Sequence, residues 1–161
     1  MISPESLRRY PFFAQSTDST LKAIAMSADE RPFKAGDRLF EESGSIKAGG
    51  RLYEKSQAAT HLMIVVRGEV DLTNRLGSGR EVIVSTAVAG DLLGLSSMIE
   101  PYELTASGLA RTDGGLIWID AARLRQLCED DHTLGYHLMS QIARELRNRL
   151  QHAFSQLAGM S

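Results

Sequence analysis

Between Arg31 and Ile119, short β-branched runs alternate with glycine-bearing turns, and this spacing restricts the possible folds more than any other feature. Runs at Leu62–Val66, Glu69–Thr73, Val82–Ser85 and Leu116–Ile119 are separated by turns at Arg67-Gly68, Gly77-Ser78-Gly79 and Asp113-Gly114-Gly115. Strands this short and closely spaced, with turn chemistry between them, predict an all-β sandwich or barrel. The pattern is helical on both sides. Ser3–Arg9 reads as a short helix that ends before Tyr10-Pro11, because the residue preceding proline is pushed out of the helical region. Phe12-Phe13 then anchors the segment on the core, and Thr17 or Asp18 caps a second helix with Leu21, Ile24 and Ala25 on one face. After Asp120 helical periodicity runs to the end. The segment Ala121–Cys128 stops at Glu129-Asp130-Asp131, whose carboxylates suit the N-terminus of the next helix better than a metal ion.

A chain of 161 residues suits one domain with a full core. The expected division is 1–30 for the N-terminal helices, 31–119 for a β-roll and 120–161 for the C-terminal helices. A net charge of −2 gives no basic field to attract nucleic acid or an anionic membrane. No apolar run approaches the ~20 residues of a membrane helix, and Met1–Tyr10 lacks a signal-peptide pattern, so a cytoplasmic protein is expected. The single cysteine, Cys128, excludes an internal disulfide and a multi-cysteine metal centre; its place in an apolar helical pattern makes it a small buried hydrophobe.

The segment Gly90-Asp91-Leu92-Leu93-Gly94-Leu95, followed by Leu104-Thr105-Ala106, resembles the phosphate-binding cassette of cyclic-nucleotide-binding domains. In that family the cassette reads Gly-Glu-x-apolar-Gly-Glu, then Arg-Ser/Thr-Ala. Other strings match as well: Ala35-Gly36-Asp37-x-Leu39-Phe40, Val65-x-Arg67-Gly68-Glu69-Val70, and the Phe12-Phe13 pair. The order of helices, about eight strands and two further helices extends the resemblance over nearly the whole chain, most closely to small stand-alone bacterial members. It implies a mainly β fold, a β-jelly roll with short N-terminal helices and a long C-terminal helix. It also implies a ligand site at Gly90, Asp91, Leu93, Gly94, Leu95, Leu104, Thr105 and Ala106, with Arg149 and Leu150 of the last helix as its lid.

Two positions depart from the family pattern. The second acid, which accepts a hydrogen bond from the ribose 2′-hydroxyl, is Leu95, and the arginine that pairs with the phosphate is Leu104. A hydrogen bond to a charged partner is worth about 1.5–3 kcal/mol, and leaving a buried group unsatisfied costs about 1–3 kcal/mol more. Losing both contacts is expected to weaken cyclic AMP or cyclic GMP binding on the order of a thousandfold. A cyclic nucleotide is therefore a weakened ligand, and no other cofactor is assigned.

One feature has no counterpart in the family pattern. Lys34-Ala-Gly-Asp-Arg-Leu-Phe-Glu-Glu-Ser43 recurs 13 residues later as Lys47-Ala-Gly-Gly-Arg-Leu-Tyr-Glu-Lys-Ser56, a tandem duplication of the first barrel strand. Two copies fall short of a solenoid, which needs at least three. Either copy suits the strand, leaving the other in a surface loop or in an extra hairpin turning at Gly44.

In the last helix, Tyr136, Met139, Ala143, Leu146, Leu150, Ala153 and Leu157 alternate spacings of three and four, an a/d seam. A second stripe, Leu134, Leu138 and Ile142, is placed to dock on the chain's own roll. Two stripes call for two partners, and the resemblance implies a homodimer through this helix. Arg144, Arg147 and Arg149 fan around it among Glu145 and Asn148, which suits a solvated face or rim ion pairs better than a nucleic-acid stripe. With no recognition helix after Ser161, nucleic-acid binding by this chain alone is not expected.

No catalytic constellation is legible: there is no Gly-x-Ser-x-Gly elbow, no Walker loop and no His-Glu-x-x-His motif. The histidines His61, His132, His137 and His152 are dispersed, and no metal site is assigned. His61, at the start of an apolar strand, is the one candidate for haem ligation, and a structural role is favoured. The expectation is a non-enzymatic sensor or regulatory domain with a degenerate pocket, acting with an unnamed downstream protein. The alternative is a ligand-free dimerisation or interaction module, and a haem or hydrophobic-ligand sensor stands third.

Overall fold

The computed structural model describes residues 1–42 and 58–159. Short helices α1 (Pro4–Arg8) and α2 (Asp18–Met26) precede eight strands. The strands are β1 (Ala28–Phe33), β2 (Arg38–Phe40), β3 (His61–Arg67), β4 (Val70–Arg75), β5 (Glu81–Ala87), β6 (Leu92–Leu93), β7 (Ser107–Ala110) and β8 (Gly114–Asp120). Helices α3 (Ala121–Asp130) and α4 (His132–Gly159) follow. The strands form two four-stranded antiparallel sheets, ordered β1-β8-β3-β6 and β2-β7-β4-β5. This is the expected jelly roll with flanking helices.

Strands β3, β6 and β8 of the first sheet are buried on both faces, which explains their nearly continuous apolar runs. In β3, Leu62 and Ile64 face the helices, while Met63 and Val65 face the second sheet. In β8, Ile117 and Ile119 turn outward to the helices, and Leu116 turns into the roll. The helix-side core gathers Leu7, Phe13, Leu21, Ile24, Leu124, Leu134, Leu138 and Ile142, all within 2 % of full burial. Phe12-Phe13 is anchored as expected, and Thr17 caps α2, its Oγ1 accepting the Thr20 N–H at 3.2 Å. Of the acidic run, Asp131 caps α4 by accepting the N–H groups of Thr133 and Leu134 at 3.1 and 3.2 Å. Glu129 and Asp130 belong to the last turn of α3.

Two local readings of the sequence change, and one left open is narrowed. Strand β1 begins at Ala28, ahead of the expected boundary at Arg31, because its four exposed central residues carry no apolar alternation. Pairing with β8 at the edge of the sheet creates it, and Pro32 is tolerated there. Gly114 and Gly115 lie inside β8, not in a turn. A Cβ on Gly114 would meet the Arg67 carbonyl at 2.2 Å and the Phe33 ring at 2.5 Å, so the glycine marks a close strand approach. Finally, β2 is made by the first copy of the duplicated segment, whereas the second copy, at 47–56, lies outside the described residues.

The outer face of the second sheet is polar and interlocked. Asp71, 6 % exposed, accepts from Thr86 Oγ1 at 2.8 Å and from Arg111 Nε at 3.3 Å. Glu81 receives both terminal nitrogens of Arg38, at 3.0 and 3.1 Å, and Thr73 Oγ1 at 2.6 Å. The Arg38 hydrogen bonds, followed by that from Thr73, pull the Glu81 carboxyl down to about 2. A depressed carboxyl stabilises the fold above its ordinary pKa and loses that contribution as pH falls through the folded value. Since the pair retains 32 % and 24 % side-chain exposure, solvent screens it. Glu81→Gln is expected to cost about 1–2 kcal/mol at pH 7, and the gap should close between pH 4.5 and about 2 in urea denaturation.

Candidate functional site

The segment from Val88 to Met98 is fixed by its own turn and by β3. Gly90 N–H donates to the Val65 carbonyl at 2.8 Å, and Val65 N–H donates to the Asp91 carbonyl at 3.0 Å. Asp91 Oδ2 accepts the Val88 N–H at 2.8 Å, so this acid braces the turn. Gly90 and Gly94 have φ of +93° and +68°. A Cβ on Gly94 would lie 2.5 Å from the His61 carbonyl oxygen and 2.8 Å from Met63 Cε, whereas one on Gly90 meets nothing within 4 Å. Gly94 therefore serves the close approach of this turn to β3, and Gly90 serves only the turn's conformation. A 3₁₀ turn, Leu95–Met98, follows and is tied to α3: Arg125 donates to the Ser97 carbonyl at 2.5 Å, with its guanidinium 4.1 Å from the Tyr102 ring centre.

The expected ligand residues fall into separate environments. Leu93 is fully buried between the sheets, and Ala106 lies half-buried against the same cluster. Leu95, 3 % exposed, belongs to the helix-side core. Leu104, 7 % exposed, lines a partly open pocket of about 150 Å³ with Leu39, Phe40, Met63 and Trp118. Thr105 is exposed, and its carbonyl accepts Asn74 Nδ2 at 2.7 Å. Glu103, beside Leu104, is exposed.

His61 lines the Leu104 cavity, its Nδ1 2.9 Å from Thr60 Oγ1 and its ring 4.9 Å from that of Trp118. Burial lowers its pKa. The pocket beside it has a volume of about 150 Å³, below the ~300 Å³ at which ligand-sized pockets begin. Among the described residues no three His, Cys, Asp or Glu side chains cluster to hold a metal ion. Burial, aided by Asp131 and Glu129, pushes the Cys128 thiol up to about 11. Its alkylation by iodoacetamide at pH 7.5 is expected to run on the order of a hundredfold slower than that of free cysteine.

Sequence reasoning finds Arg149 as a lid residue but misses the polar face of α4 to which it belongs. The helix's inner stripe, Leu134, Leu138 and Ile142, continues at the same helical spacing as Glu145, Arg149, His152 and Gln156. The face is apolar where it covers the first sheet and polar where it crosses the cassette and β5. There it borders a groove of about 630 Å³ lined also by Ser85, Thr86, Asp91, Arg111 and Asn148. Arg149 Nη2 donates to the Leu92 carbonyl at 3.3 Å, and Glu145 Oε1 accepts the Leu92 N–H at 3.4 Å. One turn of α4 thus holds both backbone groups of a residue in the two-residue edge strand β6.

Burial, and then the charge of Asp91, raises the Glu145 pKa; burial lowers that of Arg149 against the support of Glu145 and Asp91. The solvated-face reading therefore holds for the exposed Arg144 and Arg147 but not for Glu145 and Arg149. The i, i+4 spacing of those two residues, in register with the buried stripe, is the signal that finds them. Leu150, expected beside Arg149 in a lid, is 55 % exposed and does not line the groove.

The family model for the cyclic nucleotide-binding domain matches residues 43–131. The chain belongs to the cyclic nucleotide-binding domain family. It is 36 % identical to a proposed cyclic nucleotide-binding protein from Geobacter metallireducens GS-15, over 93 % of this chain and 99 % of that one, with a TM-score of 0.72. The N-terminal domain of a transcriptional regulator from Streptomyces coelicolor A3(2) is 27 % identical over 88 % of this chain and 92 % of that one, with a TM-score of 0.62. A CRP-like cAMP-activated global transcriptional regulator from Mycobacterium tuberculosis is 26 % identical over 143 residues. The match covers 89 % of this chain but 58 % of that regulator's length. This cyclic nucleotide-binding domain keeps the cassette's frame, with leucine at both departing positions. None of its described helices is long and apolar enough to cross a membrane.

Proposed function

We propose that the chain is a non-enzymatic regulatory sensor whose pocket binds cyclic AMP and cyclic GMP weakly or not at all. The observation that carries this reading is Leu104, buried among Leu39, Phe40, Met63 and Trp118 at the position where the family pattern has arginine. Leu95 supports it, since its side chain is committed to the helix-side core and offers no acceptor to a ribose. Introducing a guanidinium at the first position is the direct test. Leu104→Arg is expected to tighten cyclic AMP binding at least tenfold, the low end for one charge-assisted hydrogen bond. An unchanged titration by a folded Leu104→Arg protein would separate the weak binding from this position.

The output of the module is a parallel homodimer through α4. Tyr136, Met139, Leu146, Leu150 and Leu157 are 41–70 % exposed along one heptad seam, with Ala143 exposed and Ala153 half-buried in the same register. Phe154, 59 % exposed, widens that strip. A second copy is the fitting partner, because an a/d repeat complements itself across a two-fold axis. The groove side and the seam side share one helix, so a ligand that moves α4 changes the dimer. A protein that binds neither cyclic nucleotide nor any small molecule, yet remains dimeric, would be the interaction module instead.

A further inference from the structure

The groove between β5 and α4 is lined mostly by polar side chains, three of which have no hydrogen-bond partner among the described residues. A helix face that only docks would continue as Leu134, Leu138 and Ile142 begin; this one changes to Glu145, Arg149, His152 and Gln156. Arg149 has five N–H donors, of which one is spent, at 3.3 Å, on the Leu92 carbonyl. The side chains of Ser85, Asn148 and His152 form no hydrogen bond among the described residues, and all three line the same space with Arg149. The groove's other cation, Arg111, is held by the buried Asp71. Its two remaining acids are engaged: Asp91 with the Val88 N–H, and Glu145 with Leu92 N–H and Gln141 Nε2. Arg149 is thus the groove's guanidinium with no ion-paired carboxylate among the described residues, and a half-buried guanidinium recognises planar or tetrahedral oxyanions through two donors at once.

We propose that the groove of about 630 Å³ is a binding site for a small molecule bearing a phosphate or carboxylate group, with Arg149 as its anchor and Ser85 and Asn148 as its neutral donors. This rests on the sensor reading above, and it reverses the polarity of the pocket: the anion is taken at the α4 end, not at Leu104. A bidentate oxyanion outcompetes one long hydrogen bond to a neutral carbonyl, so occupancy frees the Leu92 carbonyl and loosens α4 from β6. The signal then enters the helix that carries the dimer seam.

The test is an NMR titration of the full chain with inorganic phosphate and, separately, succinate, at constant ionic strength set with chloride. Saturable shifts of the Leu92 amide and the Arg149 Nε–Hε are expected from one of them, with Kd on the order of millimolar. Response to phosphate alone identifies a phosphoryl ligand, and response to succinate alone a carboxylate. Arg149→Met should weaken the binding at least tenfold, Arg149→Lys should recover part of it, and Ser85→Ala should weaken it severalfold with Arg149 intact. Ser85→Ala keeps the test decisive should Arg149→Met fail to fold. No saturable shift from either anion up to ~50 mM would overturn the proposal. So would shifts centred on Gly94, Leu104 and Thr105 that persist in Arg149→Met. Cyclic AMP binding tighter than about 10 μM would instead overturn the sensor reading beneath it, a separate result.

Discussion

Gly94→Ala is expected to destabilise the protein by about 3–5 kcal/mol, and Gly90→Ala by no more than about 1–2 kcal/mol. Both residues hold positive φ, +68° and +93°, so any L side chain pays the left-handed penalty at either position. Only at Gly94 does a second cost apply. The new Cβ would stand 2.5 Å from the His61 carbonyl, a backbone atom of the central strand β3 that cannot swing aside, and 2.8 Å from Met63 Cε. Relief requires the cassette to lift from β3, which breaks the β3–β6 pairing and uncovers the fully buried Leu92 and Leu93. Equilibrium urea denaturation of the two variants measures the difference. Equal, small losses would mean that the turn does not press on β3 as described. The contrast matters for function because the two glycines are equivalent in the family motif: one shapes a turn, and the other sets the distance between the cassette and the roll.

Leu146→Glu with Leu150→Glu is expected to leave the domain folded and to raise the dimer dissociation constant by at least about a thousandfold. Both leucines are exposed, at 42 % and 55 %, on a strip of α4 that adjoins the buried stripe of Leu138 and Ile142 but lies outside the core cluster, so the fold is expected to tolerate the change. In a two-fold dimer the double substitution removes four buried leucines, each worth about 1.5–3 kcal/mol, and sets like charges against one another across the seam. Sedimentation equilibrium at micromolar concentration reads the outcome directly. A wild-type chain that is already monomeric there would remove the α4 dimer, and a variant that stays dimeric would move the interface elsewhere.

The β-rich middle of the chain was legible because apolar runs and turn glycines mark β3, β4, β5 and β8, two of which, β3 and β8, are apolar on both faces. Strand β1 was not, since Ala28–Phe33 has no alternation and owes its existence to pairing with β8. Gly114-Gly115 looked like a turn because a glycine required by a neighbouring backbone reads the same as one required by its own φ. The cassette was legible as a string, but its residues' destinations were not. Leu95 and Leu104 both sit where charge is expected, yet one enters the helix-side core and the other lines a pocket with Met63 and Trp118. Those compartments lie on different sides of the first sheet, and linear spacing carries no information about sides. Charge on a helix is usually solvated, so Glu145 reads as a solvated rim, and Arg149 reads both as part of that rim and, through the family resemblance, as a lid residue. Their continuity with Leu138 and Ile142, at spacings of three and four, is what assigns them to the inner face.

The central claim is that the loss of charge at Leu95 and Leu104 costs this domain its usual ligands. Calorimetric titration of the wild-type chain with cyclic AMP and with cyclic GMP tests it most directly. The expected result is no binding, or binding weaker than about 10 μM, a free energy near −7 kcal/mol, for both nucleotides. A dissociation constant below that value for either one would contradict it.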